Sequence, residues 1–321
     1  MSQSRVKRTY RKLRRPLEWC LIWFALAVIP PLPLKALLRL AHLLSDIGYA
    51  FDPRGKAIAR ANLKVMFGGR LTPRRERLII RHSYRNMTRV LLNIFWMSRD
   101  TRARMAQQVS FSPGIIEGLK ADLPAITVSG HMGNWEILSQ ACVANGIPMM
   151  SVAKTVGTPE MTARLSELRA TIGQQIVPAE GALRPLMGAL KNGTSIGLLI
   201  DQHTQPWDGG TWVRFFGLPV GISQAPAALA RKYKAPIVFA WSRPLKDGRY
   251  RIEPGQTFPY DPSVDDATRT QQIIAAFERV LRKHPSLWCL NYRRWRHIMP
   301  DDDPARYPFY ARTLYLPSKP A

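Results

Sequence analysis

Short apolar runs alternate with segments of helical periodicity through most of this chain. The apolar runs predict buried strands, because each is short and lies next to turn-forming residues; they cover residues 124–129, 148–153, 195–200, 235–241 and 287–292. The segments between them repeat apolar residues at the spacing of one helix face. This alternation predicts an α/β fold with a mixed or mostly parallel central sheet flanked by helices.

Residues 55–109 predict amphipathic helices with a strongly basic polar face. Residues 17–34 form an almost uninterrupted apolar run, and a basic segment that lacks acidic residues precedes it. Basic residues before an apolar run keep the N-terminus in the cytoplasm. Glu18 and three prolines make the run marginal for a span, which needs roughly 20 apolar residues. We therefore favour an interfacial or half-embedded anchor over a true span, and over a cleaved signal peptide.

These patterns divide the chain into four parts. We expect a basic N-terminal segment at 1–16, a membrane-anchoring helical region at 17–45 and one domain at 46–300. Residues 301–321, which are rich in acidic residues and prolines, predict an extended and partly disordered tail.

The charge of the chain requires an anionic partner or surface. The 321 residues carry a formal net charge of +25. Anionic lipid head groups attract such basic clusters. Nucleic acid is disfavoured, because no basic recognition helix, zinc finger or RNA-binding sheet signature is present. The three cysteines lack paired spacing, so neither a disulfide framework nor a zinc site is predicted, and a reducing compartment is favoured.

The heptapeptide GHMGNWE at 130–136 carries the strongest chemical signal. His131 lies in the turn after a predicted strand, and a helix is predicted from about Asn134, its N-cap. Glu136 then lies in the first turn, where the helix dipole stabilises a carboxylate. We expect Glu136 to accept a hydrogen bond from one ring nitrogen of His131 and leave the other free as a general base. The alternative is a structural histidine. Ser129 is a rival for the chemistry, but as a strand residue it is expected to be buried and hydrogen-bonded.

Other candidate residues surround this motif. The two flanking glycines leave room for a substrate, and the backbone N–H groups of Gly133 and Asn134 are the expected oxyanion donors. Asp201 and Gln202 follow the strand SIGLLI and should emerge at the same sheet edge as His131, although Asp201 could simply cap a turn. Asp201 with His203 supplies too few ligands to propose a metal, and acid–base chemistry of this kind requires none.

Four sequence blocks resemble the bacterial lipid A late acyltransferases, the lauroyl/myristoyl family within the wider glycerolipid acyltransferases. They are SGHMGNWE, RANLKVMF at 60–67, the segment 200–223 with its Asp-Gln and Phe-Phe-Gly-x-Pro parts, and HPSLWCLNYRRWRH at 284–297. The resemblance implies a glycerolipid acyltransferase-like fold and transfer of an acyl chain from acyl carrier protein to a hydroxyl of a lipid A precursor. It also implies the cytoplasmic face of the bacterial inner membrane, and no cofactor.

Further site residues are implied only by this resemblance. Arg169 matches a family arginine that could clamp a phosphate or support Glu136. Arg293 and Arg294 are candidates for binding the acceptor phosphate or the phosphopantetheine of the carrier. The chain departs from the family at Lys154, where many members have arginine, and at Tyr292, where they usually have histidine. These departures affect which acceptor lipid is expected, and they do not change the expected reaction class.

The acceptor and donor stay open at this point. A lysophospholipid or an aminolipid is the nearest alternative acceptor, and coenzyme A is the alternative donor. Two alternative functions lie outside the acyltransferases. One is a lipid ester or thioester hydrolase, in which His131 activates water, and the other is an inactive membrane scaffold. Neither a serine in a nucleophile-elbow motif nor a suitably placed cysteine lies near GHMGNWE, so direct transfer without an acyl-enzyme intermediate is expected.

Overall fold

The computed structural model describes residues 19–20, 22–155 and 157–314. The predicted basic segment at 1–16 lies outside these residues. The helices are α1 (residues 19–28, residue 21 excepted), α2 (Leu34–Phe51), α3 (Pro53–Phe67), α4 (Pro73–Trp96), α5 (Thr101–Gln108), α6 (Ile115–Ala121), α7 (Glu136–Ala144), α8 (Pro159–Arg169), α9 (Leu183–Lys191), α10 (Ala225–Tyr233) and α11 (Asp266–Lys283).

The strands are β1 (Val109–Phe111), β2 (Ile126–Ser129), β3 (Met149–Ala153), β4 (Gln175–Pro178), β5 (Ser195–Leu199), β6 (Gly210–Phe215), β7 (Leu218–Ser223), β8 (Ile237–Pro244), β9 (Tyr250–Phe258), β10 (His297–Ile298) and β11 (Arg312–Thr313). The main sheet has the order β1-β9-β8-β2-β5-β3-β4. Each pair of neighbouring strands is parallel except the pair β8–β9, which is antiparallel. The predicted α/β fold with a mostly parallel central sheet is therefore confirmed.

Local sequence explains where the basic helices begin. Asp52 caps α3 by accepting a hydrogen bond from the Gly55 N–H at 2.7 Å, and Thr72 caps α4. A proline follows each cap, in the first turn, where its missing N–H costs nothing. The apolar stripe of α4 then packs into the domain, so that its buried residues include Ile80 and Val90.

The apolar run at 287–292 does not form the predicted strand. Residues Pro285–Leu287 form a 3-10 turn, and the chain then crosses beside the loop that follows β2. The Asn62 side chain donates to the carbonyl groups of Leu290 and Tyr292, at 2.7 and 2.8 Å. Side-chain hydrogen bonds from α3 thus satisfy the backbone of this buried segment in place of a sheet ladder.

The C-terminal region also differs from the prediction as far as Leu314. Strand β11 pairs with β10, and the side chains of Tyr307, Tyr310 and Leu314 are buried. The Tyr310 hydroxyl donates to the Asn62 carboxamide oxygen. Aromatic burial and strand pairing therefore hold residues 307–314 against the domain, in place of an extended tail.

The anchor predicted at 17–45 is not confirmed. Among residues 19–314, apart from the two residues left out, no helix is both long and apolar enough to cross a membrane. Helix α2 continues past residue 45 to Phe51, and its Leu37 and Ala41 are buried. The interfacial anchor remains a prediction.

Candidate functional site

The candidate residues lie at the carboxyl ends of three neighbouring strands. His131 follows β2, Asp201 and Gln202 follow β5, and Lys154 follows β3. Strand β5 lies between β2 and β3, and Ser129 pairs with Leu199 in parallel register. Two residues further along each strand, the register brings His131 level with Asp201. The fold thus gathers these side chains at the sheet edge where open α/β proteins bind ligands.

A hydrogen-bonded His131–Asp201 pair forms the centre of this edge. The Nδ1 atom of His131 lies 2.7 Å from Oδ1 of Asp201, whose side chain is fully buried. The other oxygen of Asp201 accepts from Trp288 Nε1 at 2.8 Å and from Arg294 Nη2 at 2.6 Å. Burial opposes ionisation of Asp201, but the hydrogen bonds and electrostatic interactions with His131 and Arg294 outweigh it and hold the pKa of the carboxyl well below its usual range. Asp201 is therefore a carboxylate that fixes the orientation of the ring.

The predicted hydrogen bond between Glu136 and His131 is wrong. Both oxygens of Glu136 instead accept from Arg169, at 2.7 and 2.8 Å from Nε and Nη2. The pair is half-buried, and although burial lowers the pKa of the Arg169 guanidinium, the contact with Glu136 outweighs this and raises it. The forked guanidinium matches the carboxylate geometry, so it outcompetes a single ring N–H. Of the two roles considered for Arg169, contact with Glu136 is the one in this structure.

Gln202 and Lys154 define the tautomer of His131. The Nζ atom of Lys154 lies 3.5 Å from Oε1 of Gln202, so the amide oxygen faces the ammonium donor. The amide nitrogen of Gln202 then lies 3.2 Å from Nε2 of His131. Since an amide nitrogen only donates, Nε2 is the acceptor and Nδ1 carries the proton that is donated to Asp201. This is the tautomer that a general base requires.

The predicted oxyanion donors are already engaged inside the protein. The N–H of Gly133 donates to the Leu287 carbonyl at 2.9 Å, and that of Asn134 donates to Ser242 Oγ at 2.6 Å. Asn134 is fully buried and does not cap α7, which begins at Glu136. Gly133 and Asn134 therefore hold the loop in place, and the prediction that they bind the substrate oxyanion is wrong.

The glycines of GHMG serve packing, and they do not open a path for substrate. A Cβ on Gly133 would lie 1.8 Å from the Ser242 carbonyl oxygen, and the residue has a φ of +58°. A Cβ on Gly130 would lie 2.2 Å from the Phe277 ring. Only glycine fits a backbone that packs this closely.

The paired arginines have separate surroundings. Arg294 is 4% exposed, pairs with Asp201 and donates to the Cys289 carbonyl at 3.0 Å. Its guanidinium also lies 4.1 Å from the centre of the Trp288 ring. Arg294 is thus committed to the interior, and the prediction that it binds a phosphate is wrong. Arg293 is half-buried over the Tyr310 ring, and its predicted phosphate contact is not tested.

Sequence reasoning missed the residues that support the pair from behind. Asn86 of α4 donates to the carbonyls of Gly133 and Leu287, at 2.9 and 3.0 Å, and Ser83 donates to that of Trp288 at 2.5 Å. Neither residue stands in a pattern that signals a site. Asn62 and Trp288 lie inside the quoted blocks RANLKVMF and HPSLWCLN, so the resemblance marked their segments without showing their contacts.

A pair of histidines lies beside the site. The rings of His203 and His297 are 4.6 Å apart, next to Trp212. Burial and the neighbouring His297 lower the pKa of His203 from 6.5 to about 4. The folded protein therefore keeps His203 neutral at a pH where the unfolded chain binds a proton.

We expect the free energy of unfolding to fall as the pH falls from about 6.5 to 4, because the unfolded state takes up more protons over this interval. His203 contributes at most ~1.4 kcal/mol per pH unit. Urea unfolding across this range checks the slope. A His203→Asn variant should show a shallower slope, while the other histidines with a lowered pKa keep part of it. An equal slope in both proteins would exclude His203 as a cause.

The molecule is thus an α/β protein in which a mostly parallel sheet presents an oriented histidine at its carboxyl edge. The model of the bacterial lipid A biosynthesis acyltransferase family matches residues 4–297. The chain therefore belongs to this family.

The similar curated proteins carry the name of an acyltransferase. The chain is 26% identical over 188 residues to a phosphatidylinositol mannoside acyltransferase of Mycobacterium tuberculosis, covering 55% of this chain and 56% of that protein. It is 25% identical over 238 residues to a protein of the same name from Mycolicibacterium smegmatis, covering 71% and 76%. The chain thus spans little more than half the length of the first of these relatives.

Proposed function

We propose that this enzyme transfers a fatty acyl chain from the thioester of acyl carrier protein to a hydroxyl of a lipid A precursor or a related glycolipid. His131 is the general base, and Asp201 orients it. The observation that carries the proposal is the hydrogen-bond chain in which buried Asp201 bonds Nδ1 of His131 and leaves Nε2 as an acceptor. A histidine held this way takes a proton from a hydroxyl as that hydroxyl attacks.

The reaction balances with the groups present. Nε2 of His131 takes the proton of the acceptor hydroxyl while its oxygen forms a bond to the thioester carbon. The carbonyl bond opens to an oxyanion, which then reforms the carbonyl and expels the thiolate. The protonated His131 returns the proton to the sulfur. Asp201 stabilises the transient imidazolium through its negative charge, as the carboxylate does in serine hydrolases.

The comparisons support a sugar-containing lipid as acceptor. The mycobacterial relatives are named for acyl transfer to phosphatidylinositol mannoside, and the matching family is named for lipid A. Both names describe lipids that carry sugar hydroxyl groups beside an anionic phosphate. A net charge of +25 suits both such an acceptor and a strongly acidic carrier protein.

Lipid mass spectrometry tests the proposal. Cells that lack the protein are complemented with the wild type or with His131→Ala, and their lipids are compared. We expect lipid A species to differ by one acyl unit and the variant to fail to restore them. A shift confined to a phospholipid or aminolipid would replace the acceptor; release of free fatty acid as the main product would favour the hydrolase. Equal complementation by the variant would refute the mechanism.

We also propose that helices α2 and α4 place the enzyme on the cytoplasmic face of the inner membrane. Leu43 and Ile47 of α2 are 59% and 47% exposed, and Leu78 of α4 is 49% exposed. Arg74, Arg77, Arg81 and Leu78, on the same side of α4, line a cavity of about 430 Å³ with Asp46 and Tyr49 of α2. Apolar side chains beside arginines suit the boundary between acyl chains and anionic head groups.

The double variant Arg74→Gln/Arg77→Gln should bind vesicles of phosphatidylglycerol and phosphatidylethanolamine about 30-fold more weakly, since each basic residue contributes about 1 kcal/mol. Co-sedimentation measures the partition. The matched control is Lys120→Gln/Lys191→Gln, which removes two exposed charges at the opposite, amino-terminal edge of the sheet. Equal binding by the two double variants would exclude the α2–α4 surface.

A further inference from the structure

The tetrahedral intermediate of the proposed acyl transfer needs hydrogen-bond donors, and the loop after β2 does not supply them. The N–H groups of Met132, Gly133 and Asn134 donate to Gly130, Leu287 and Ser242. Reassigning any of them would break a hydrogen bond that holds this loop, at a cost of about 0.5–1.5 kcal/mol. Donors from another element that reaches Nε2 of His131 would avoid this cost.

Gln202 reaches Nε2 of His131 from the end of β5, and Lys154 contacts Gln202 from the end of β3. Gln202 Nε2 lies 3.2 Å from the His131 nitrogen that takes the proton. Lys154 Nζ lies 3.5 Å from Oε1 of the same Gln202. Among the described residues no carboxylate forms an ion pair with Lys154, whose ammonium contacts the Gln202 amide oxygen. An amide donor thus adjoins the reacting nitrogen on the side away from Asp201, and a cation adjoins that amide.

We propose that Gln202 and Lys154 are the oxyanion donors of this enzyme, an inference that rests on the proposed acyl transfer. In the free enzyme the Gln202 amide occupies the acceptor nitrogen of His131. An incoming hydroxyl displaces it from Nε2, because only one donor bonds that lone pair. The displaced N–H group, one side-chain rotation away, then donates to the oxygen of the thioester carbonyl.

Lys154 contributes the charge. As the acceptor oxygen bonds to the thioester carbon, the carbonyl electron pair moves to oxygen, and a negative charge develops that the ground state lacks. An ammonium group stabilises this charge more than it stabilises the neutral carbonyl, so it accelerates the chemical step. Lys154 also fixes the amide orientation of Gln202, which keeps the donor nitrogen directed at the site.

The test compares Gln202→Met, Lys154→Met and Lys154→Arg in steady-state kinetics with the lauroyl thioester of acyl carrier protein. Thiol release is followed twice, with the lipid acceptor identified by mass spectrometry and with water as the only acceptor. We expect Gln202→Met to lower kcat about 10²-fold and Lys154→Met about tenfold in both reactions, with KM for the lipid within about threefold of wild type. Lys154→Arg should keep most of the rate, because it retains the charge.

Two results would overturn the assignment. A raised KM for the lipid, with kcat and hydrolysis unchanged, would make these residues binders of the acceptor head group. If the Gln202 and Lys154 variants had the same rates as the control Lys191→Met, at the far edge of the sheet, neither residue would have a role in the reaction. In both cases the wild type still transfers acyl chains, whereas a wild type that releases no thiol with any lipid would reject the proposed function itself.

Discussion

The Asp201→Asn variant is expected to transfer acyl chains about 10² to 10⁴ times more slowly than the wild type. An asparagine can present its NH₂ group to Nδ1 of His131, which would stabilise the tautomer with the proton on Nε2 and remove the base. It also lacks the negative charge that stabilises the imidazolium. Initial rates of thiol release measure the loss, and the melting temperature shows whether the variant is folded.

Glu136→Gln is the matched control for that variant. It removes the other carboxylate near the motif, but the charge lost is one that faces Arg169. We expect less than about a tenfold decrease in rate, since the His131–Asp201 hydrogen bond is intact. If Glu136→Gln lost 10² or more while Asp201→Asn retained its activity, Glu136 would be the orienting carboxylate.

The Arg294→Met variant is expected to lose about 3–5 kcal/mol of unfolding free energy, because it leaves the buried Asp201 carboxylate without its cation. Met is close in length and can fill the space beside Trp288. Urea denaturation at neutral pH gives the difference. The double variant Asp201→Asn/Arg294→Met should lose less unfolding free energy than Arg294→Met alone, because it leaves no buried charge unpaired.

Arg231→Met provides the comparison for an exposed ion pair. Arg231 contacts Asp266 through two hydrogen bonds of 2.9 Å, but its side chain is 61% exposed. Such pairs contribute about 0–1 kcal/mol. If Arg294→Met destabilised the protein no more than Arg231→Met, the buried Asp201–Arg294 pair would not be needed to stabilise the fold.

The sequence allowed the fold and half of the site to be predicted. Apolar runs before His131 and Asp201 identified both as residues at strand ends, and parallel strands necessarily bring such ends together. Their pairing at 2.7 Å follows from the strand register. The strand predicted at 287–292 is absent because a run of apolar residues indicates burial, and a buried segment need not pair with a sheet.

The choice of carboxylate could not be made from spacing along the chain. Glu136 stands close to His131 in sequence, but the left-handed turn at Gly133 delays the helix until Glu136 itself. Arg169, which is far away in the sequence, then takes both of its oxygens. Such competition depends on three-dimensional neighbours, and local periodicity carries no information about them.

The contacts of Trp288 and Arg294 with Asp201 determine when the site can form during synthesis of the chain. His131 and Asp201 leave the ribosome long before Trp288 and Arg294, the two groups that bond the second oxygen of Asp201. A nascent chain that ends before residue 288 must leave Asp201 either hydrated or protonated, since burying an unpaired charge is too costly. The oriented His131–Asp201 pair is therefore complete only once residues 288–294 have been made, and we expect chains that end before them to be inactive.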